Sequence, residues 1–130
     1  MSSDRYLVDV NIFLEILLQQ SKKEKAKTFL SSHGGELGIS DFSLHSIGVL
    51  LFSENRELLY REFINDSLPN LDILPLGEDT YEEVVTIHTE YKLDFDDSYQ
   101  TAVAHQHGRT IVTFDKDFRK VKRFVQVEFL

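Results

Sequence analysis

Residues 93–118 read LDFDDSYQTAVAHQHGRTIVTFDKDF, a helical pattern followed directly by a strand pattern. We predict a helix over residues 94–107. Gly108 is expected to end it, because glycine readily adopts the left-handed conformation found after helices. The apolar run at 110–114 predicts a buried strand. A helix that leads straight into a buried strand is typical of an α/β fold.

The same alternation extends outward through the rest of the chain. Further strands are predicted at residues 6–8, 37–40, 71–76 and 124–129. Further helices are predicted at about residues 12–17, 21–33, 42–53, 56–66 and 79–91. Alternating strands and helices imply right-handed crossovers and a sheet covered on both faces. The predicted fold class is therefore a three-layer α/β/α arrangement around a central, mainly parallel sheet.

Length and composition indicate one domain, residues 1–130, with material for a well-packed core. The chain has no cysteine, which excludes disulfides, thiolate metal sites and thiol nucleophiles. No apolar run approaches the roughly 20 residues that span a bilayer, and the start does not resemble a signal peptide. We therefore expect a cytoplasmic protein with no membrane partner.

The formal net charge of −8 alone argues against nonspecific binding to nucleic acid. However, positive charge is concentrated in two places, residues 22–27 and residues 116–123. The second cluster begins directly after Asp115, so contacts with the phosphates of a nucleic acid and a plain solvated surface are both compatible with it.

Acidic residues occupy three places where packing does not require them. Asp9 follows the first strand, Asp97 lies near the start of the helix at 94–107, and Asp115 follows the strand at 110–114. Ligands of such sheets bind outside the carboxyl ends of the strands, so these three carboxylates are expected to converge. Converging carboxylates repel one another unless a cation is present. Oxygen ligands suit Mg²⁺ or Mn²⁺.

Each of these acids also has an ordinary structural interpretation. Asp is a common N-cap, so Asp9 and Asp94 are candidates to cap the helices that follow them. Asp115 and Asp117 are candidates to stabilise a turn. The metal-site hypothesis rests on the three positions taken together.

In three blocks the sequence resembles the PIN-domain family, and in particular its VapC-like toxins. The blocks are LVDVNIFLEILL at 7–18, ISDFSLHSIG at 39–48 and the stretch at 93–118. This resemblance implies a Mg²⁺- or Mn²⁺-dependent endoribonuclease that hydrolyses RNA. It also implies a small antitoxin protein as partner and a homodimer.

Carried over by position, the resemblance implies that Asp9, Asp97 and Asp115 are catalytic and bind the metal. It gives supporting roles to Asn11, Asp96 and Asp117. Asp96 is a weaker candidate than Asp97 for binding the metal, because adjacent residues on a helix point about 100° apart and cannot both face it.

The sequence departs from the family pattern at Ser46, where the family usually has a glutamate. A serine hydroxyl is neutral and short, and therefore a poorer ligand for a hard cation; Asp41 is the nearest acid that could replace the missing one. A PIN-fold module kept for binding or dimerisation, with a degraded site, is therefore the alternative function. Two other acidic α/β classes fit less well. Receiver domains need an acidic pair after the first strand, which here offers only Asp9, and haloacid-dehalogenase phosphatases need an aspartate where Asn11 stands.

Overall fold

The computed structural model describes residues 4–130; residues 1–3, the start of the predicted domain, lie outside the described residues. The described residues form the strands β1 (Tyr6–Val8), β2 (Leu37–Ser40), β3 (Asp72–Leu74), β4 (Thr110–Thr113) and β5 (Val127–Phe129). They also form the α-helices α1 (Val10–Leu17), α2 (Lys23–Ser32), α3 (Asp41–Ser53), α4 (Glu57–Asp66), α5 (Tyr81–Tyr91) and α6 (Phe95–His107). Short 3-10 segments cover Leu68–Asn70, Glu78–Thr80 and Lys116–Val121.

The strands form one sheet in the order β3-β2-β1-β4-β5, and every neighbouring pair is parallel. The chain first builds outward from β1 through β2 to β3, then returns to the other side of β1 to form β4 and β5. The strand order therefore reverses between β1 and β4, which is where ligands of open parallel sheets bind. Asp9 and Asp115 follow these two strands.

Two apolar clusters cover the two faces of the sheet. One contains Val84 and Ile87 of α5 and Val103 of α6, packed with Ile111 of β4. The other contains side chains of α1 to α4 packed against Tyr6, Val8, Ile39 and Val112 of the sheet. The predicted three-layer α/β/α fold class is confirmed, and the sheet is wholly parallel.

Helix ends follow the expected chemistry, with local differences from the prediction. Gly108 ends α6 in the left-handed conformation, with φ of 63°. Ser40 caps α3, because its Oγ accepts a hydrogen bond from the Ser43 amide over 2.9 Å. Asp94, a candidate cap, does stand at the N-cap position of α6, but its side chain makes no capping hydrogen bond.

Candidate metal centre

Asp9 follows β1 and is almost completely buried, with 3% of its surface exposed. Its Oδ1 accepts a hydrogen bond from the Val10 amide over 2.8 Å, so it caps α1. Its Oδ2 accepts from Thr113 Oγ1 over 2.7 Å. Burial raises the pKa of Asp9; hydrogen bonds from Thr113, Val10 and Gln100 oppose that rise, and the charge of Asp115 adds to it. The capping interpretation and a position in the crevice therefore apply to the same residue.

Asp115 follows β4 and caps the 3-10 segment Lys116–Val121. Its Oδ1 accepts a hydrogen bond from the Asp117 amide over 2.9 Å, and its own amide donates to Thr113 Oγ1 over 2.9 Å. This tight turn folds Asp117 back toward Asp115. The turn function expected for these two acids is thus present, and it also brings their carboxylates together.

Asp97 lies in the first turn of α6 and meets the acids that follow β4. One carboxylate oxygen each from Asp97, Asp115 and Asp117 lies within 4.8 Å of the others. Asp97 and Asp115 are partly buried, whereas Asp117 is exposed. Three carboxylate oxygens at this spacing are a donor set that suits a hard divalent cation.

The raised pKa of Asp97 shows that grouping these carboxylates without a cation is electrostatically unfavourable. Burial, and after it the charges of Asp96, Asp9, Asp115 and Asp117, together raise the pKa of Asp97 to about 7. A bound cation would remove this repulsion, since opposite charge favours the ionised carboxylate. The residues present therefore fit a divalent metal ion.

The other residues predicted from the sequence occupy different surroundings. Asn11 is an exposed residue of α1, and Ser46 is partly buried on α3. Asp96 is exposed, and its Oδ1 accepts from the Asp97 amide over 3.1 Å. Asp41 accepts a hydrogen bond from Tyr99 Oη over 2.8 Å, so it is engaged at the start of α3.

Asp9 does not belong to the three-carboxylate group, although the metal set predicted from the sequence contained it beside Asp97 and Asp115. Its charge nevertheless acts on Asp97, so it lies in the same crevice. Asp117, to which the sequence gave only a supporting role, supplies the third oxygen.

Sequence reasoning missed two buried polar residues: Thr113, which donates a hydrogen bond to Asp9, and Gln100, which lowers the pKa of Asp9. Thr113 is fully buried at the end of β4, and a polar residue at the end of an apolar run was the available signal. Gln100 follows Asp97 by three residues on α6, so the two share one face of that helix. That spacing could have pointed to Gln100.

Positive charge flanks the crevice from two distant parts of the sequence. Lys116, Arg119 and Lys120 are exposed on the 3-10 segment after Asp115. Lys22, in the turn before α2, places its Nζ 5.0 Å from the centre of the Phe114 ring. Phe114 precedes Asp115, so the fold brings part of the first basic cluster to the edge of the sheet that carries the acids.

Comparisons with known proteins agree with this fold. A family model described as the PIN domain matches residues 6–124. A toxin–antitoxin complex from Klebsiella pneumoniae contains a chain with 26% identity and a TM-score of 0.71, and the match covers 87% of this chain and 89% of that chain. FitAcB from Neisseria gonorrhoeae matches with 24% identity and a TM-score of 0.80, over 96% of both chains.

VapC20 from Mycobacterium tuberculosis, described as a sarcin-ricin loop cleaving toxin, shares the fold at 18% identity. The match has a TM-score of 0.70 and covers 88% of this chain and 92% of that chain. No curated protein sequence matches the chain significantly. Across residues 4–130, no helix is long and apolar enough to cross a membrane.

Proposed function

The chain belongs to the PIN domain family, and on that basis we propose that it is a divalent-metal-dependent endoribonuclease of the VapC-like toxin type. The observation that carries the proposal is the meeting of Asp97, Asp115 and Asp117 at the edge of the sheet where the strand order reverses. The substrate is RNA, and the metal is Mg²⁺ or Mn²⁺. The protein acts in the cytoplasm as a homodimer, with a small antitoxin protein as its partner, as the toxin–antitoxin complex among its structural neighbours suggests.

In the proposed reaction a water molecule attacks the phosphorus of a phosphodiester in line with the leaving ribose oxygen. When bound, a divalent cation lowers the pKa of water and neutralises charge on the phosphate. Asp97, Asp115 and Asp117 would hold the cation. Thr113 would keep Asp9 and the Asp115 backbone in register, since its hydroxyl contacts both.

Basic side chains supply the affinity for a polyanion that the net charge of −8 does not. Lys116 and Arg119 extend from the segment that follows Asp115, and Lys22 approaches Phe114 from the turn before α2. Phosphates on either side of the scissile bond would contact these basic side chains, which act mainly through their charge. RNA binding is therefore expected to weaken steeply as salt increases.

The central experiment is cleavage of a labelled single-stranded RNA with Mn²⁺, Mg²⁺ or EDTA. Wild-type protein should cleave the RNA only when metal is present. Asp97→Asn or Asp115→Asn should lower the rate by roughly 100-fold or more, since mutation of residues that only support the ligands of a metal already costs about 10–100-fold in affinity or activity. Glu62→Gln, which removes an exposed carboxylate of α4, is the matched control and should retain the wild-type rate. Equal rates in all four proteins would indicate a contaminating nuclease and contradict the proposal.

A binding or dimerisation module is the second candidate, and Ser46 is the observation that favours it. Position 46 lies on α3 and offers a hydroxyl where the family pattern has a carboxylate. If wild-type protein binds Mn²⁺ yet cleaves no RNA while it binds RNA or an antitoxin, this second candidate replaces the first.

A further inference from the structure

Gln100 lies at the junction of three elements beside the acidic crevice. It belongs to α6, and only 3% of its surface is exposed. Its Nε2 donates a hydrogen bond to Ser43 Oγ of α3 over 2.9 Å. The same side chain opposes the rise in the pKa of Asp9, which follows β1. Its amide nitrogen therefore has a hydrogen-bond partner in the folded chain.

The amide oxygen of Gln100 lacks a hydrogen-bond partner. Among the side chains of residues 4–130, Gln100 Oε1 is the one buried nitrogen or oxygen atom without a hydrogen-bond partner. A buried acceptor left unpaired destabilises the folded state, because it gives up its hydrogen bonds to water without replacing them. Natural proteins keep few such atoms, and a bound ion or water is an ordinary reason for keeping one.

The position of this atom relates it to the acids. The unpaired oxygen belongs to the same amide group that lowers the pKa of Asp9, so it lies on the side chain of α6 that acts on the buried acid. Gln100 and Asp97 share one face of α6, because they are three residues apart. Ser43, its partner on α3, precedes Ser46 by one turn of that helix. The amide thus approaches the part of α3 in which the family pattern has a carboxylate and this chain has a serine.

We infer that Gln100 is a positioning residue of the metal centre, whose Nε2 is held by Ser43 and whose Oε1 accepts a hydrogen bond from the hydration shell of the bound cation. This inference rests on the proposed function. Mg²⁺ gives up its water reluctantly and usually retains several molecules, which need acceptors around them. Groups that orient the ligands of a metal contribute strongly to its affinity. A neutral amide meets this need without adding another negative charge to a crowded group of carboxylates.

The experiment compares Mn²⁺ binding by isothermal titration calorimetry in wild type, Gln100→Met and Ser43→Ala. Methionine is close to glutamine in size but offers neither amide atom. Ser43→Ala removes the partner of the amide on α3 and leaves Oε1 in place, so it is the matched control. Gln100→Met should weaken Mn²⁺ affinity about 10-fold or more. Ser43→Ala should retain nearly the wild-type affinity.

A second measurement separates positioning from simple support of the fold. If Gln100 only joins α6 to α3, both variants will lower the melting temperature equally in EDTA and in Mn²⁺. The inference predicts instead that Gln100→Met also shrinks the increase in melting temperature that Mn²⁺ produces. If Gln100→Met does not fold, Gln100→Asn is the substitute variant. Asparagine retains a polar amide but withdraws it by one methylene, so Gln100→Asn should weaken Mn²⁺ affinity as well.

These measurements distinguish failure of the inference about Gln100 from failure of the proposed function. Wild-type protein that binds no Mn²⁺ would overturn both the metal centre and this inference. Wild-type protein that binds Mn²⁺ with an affinity that a folded Gln100 variant fully retains would overturn the inference alone. Equal weakening by Gln100→Met and Ser43→Ala would also overturn it, because the hydrogen bond to α3 would then explain the whole effect.

Discussion

Thr113 and Asp9, 104 residues apart in the chain, share a buried hydrogen bond of 2.7 Å between Thr113 Oγ1 and Asp9 Oδ2. The same hydroxyl oxygen accepts from the Asp115 amide over 2.9 Å. One side chain thus ties the end of β1 to the end of β4, the two strands between which the strand order reverses. The acids of the crevice depend on this link for their relative position.

Thr113→Val should test the link, because valine keeps the shape of threonine and removes its hydroxyl. The Asp9 carboxylate would lose a donor and the Asp115 amide an acceptor. We expect the free energy of unfolding to fall by about 1–3 kcal/mol, measured by urea denaturation. Thr110→Val is the control: Thr110 is partly exposed and its hydroxyl donates to the exposed Gln126, so the substitution should change stability much less. Equal losses in the two variants would contradict the central role of Thr113.

The stability of the metal-free protein should depend on pH through Asp97. Its pKa rises from 3.8 to about 7 in the folded protein, so between these values the folded state binds more protons than the unfolded state. The free energy of unfolding should therefore fall as pH increases across this window and level off above it. Asp9, whose pKa is also raised, acts in the same direction.

Urea denaturation in EDTA at a series of pH values would measure this dependence. Asp97→Asn should flatten the slope and increase stability at neutral pH, because it removes a charge that its neighbours oppose. Saturating Mn²⁺ should reverse the wild-type trend, since the cation binds the ionised carboxylates. A wild-type slope that survives in Asp97→Asn would assign the effect to another group.

Ser46→Glu should restore the acid that the family pattern places on α3. If position 46 faces the crevice, the substitution should tighten Mn²⁺ binding and increase RNA cleavage, both measured against wild type. The gain should vanish in a double mutant with Asp97→Asn, because the two residues would act on one centre. Ser53→Glu, at the exposed end of α3, adds the same charge elsewhere and should produce neither gain. Vigorous wild-type cleavage with no gain from glutamate would show that the site needs no acid at position 46.

Gly38→Ala should destabilise the sheet at the end opposite the acids. A Cβ at Gly38 would lie 2.8 Å from Leu74 Cδ1 and 2.9 Å from an Arg109 guanidinium nitrogen. Arg109 is buried there and binds Asp72 over 2.9 Å, so it has little freedom to move. We expect a loss of about 1–3 kcal/mol in urea denaturation, as is usual for overpacking. Gly34→Ala is the control, because a Cβ there meets nothing within 4 Å; a comparable loss in that variant would refute the steric explanation.

The helices and strands could be predicted because their signals are local. The apolar run before Phe114 and the periodicity of α6 with Gly108 after it need no distant contact to be recognised. Element ends were less predictable. The strand predicted over residues 71–76 is only Asp72–Leu74, because just these residues pair with β2.

The candidate site was predictable at the level of elements but not of atoms. An acid after a strand must stand at the carboxyl edge of a parallel sheet, so Asp9 and Asp115 could be placed there in advance. The role of Asp117 could not, because it depends on the turn in which its amide bonds to the Asp115 carboxylate. Gln100 was missed for a related reason, since a glutamine on a helix is ordinarily exposed and only its neighbours show that this one is buried.

The sequence by itself determined the alternation of strands and helices, the family to which they belong and the acids that follow β1 and β4. These features follow from residue order, because periodicity and strand ends are properties of short segments. The tertiary structure alone decided which carboxylates meet: Asp117 joins Asp97 and Asp115, while Thr113 holds Asp9 in the buried part of the crevice. The reason is physical: an oxygen is aimed by the hydrogen bonds and packing around it, and here those come from residues far apart in the chain.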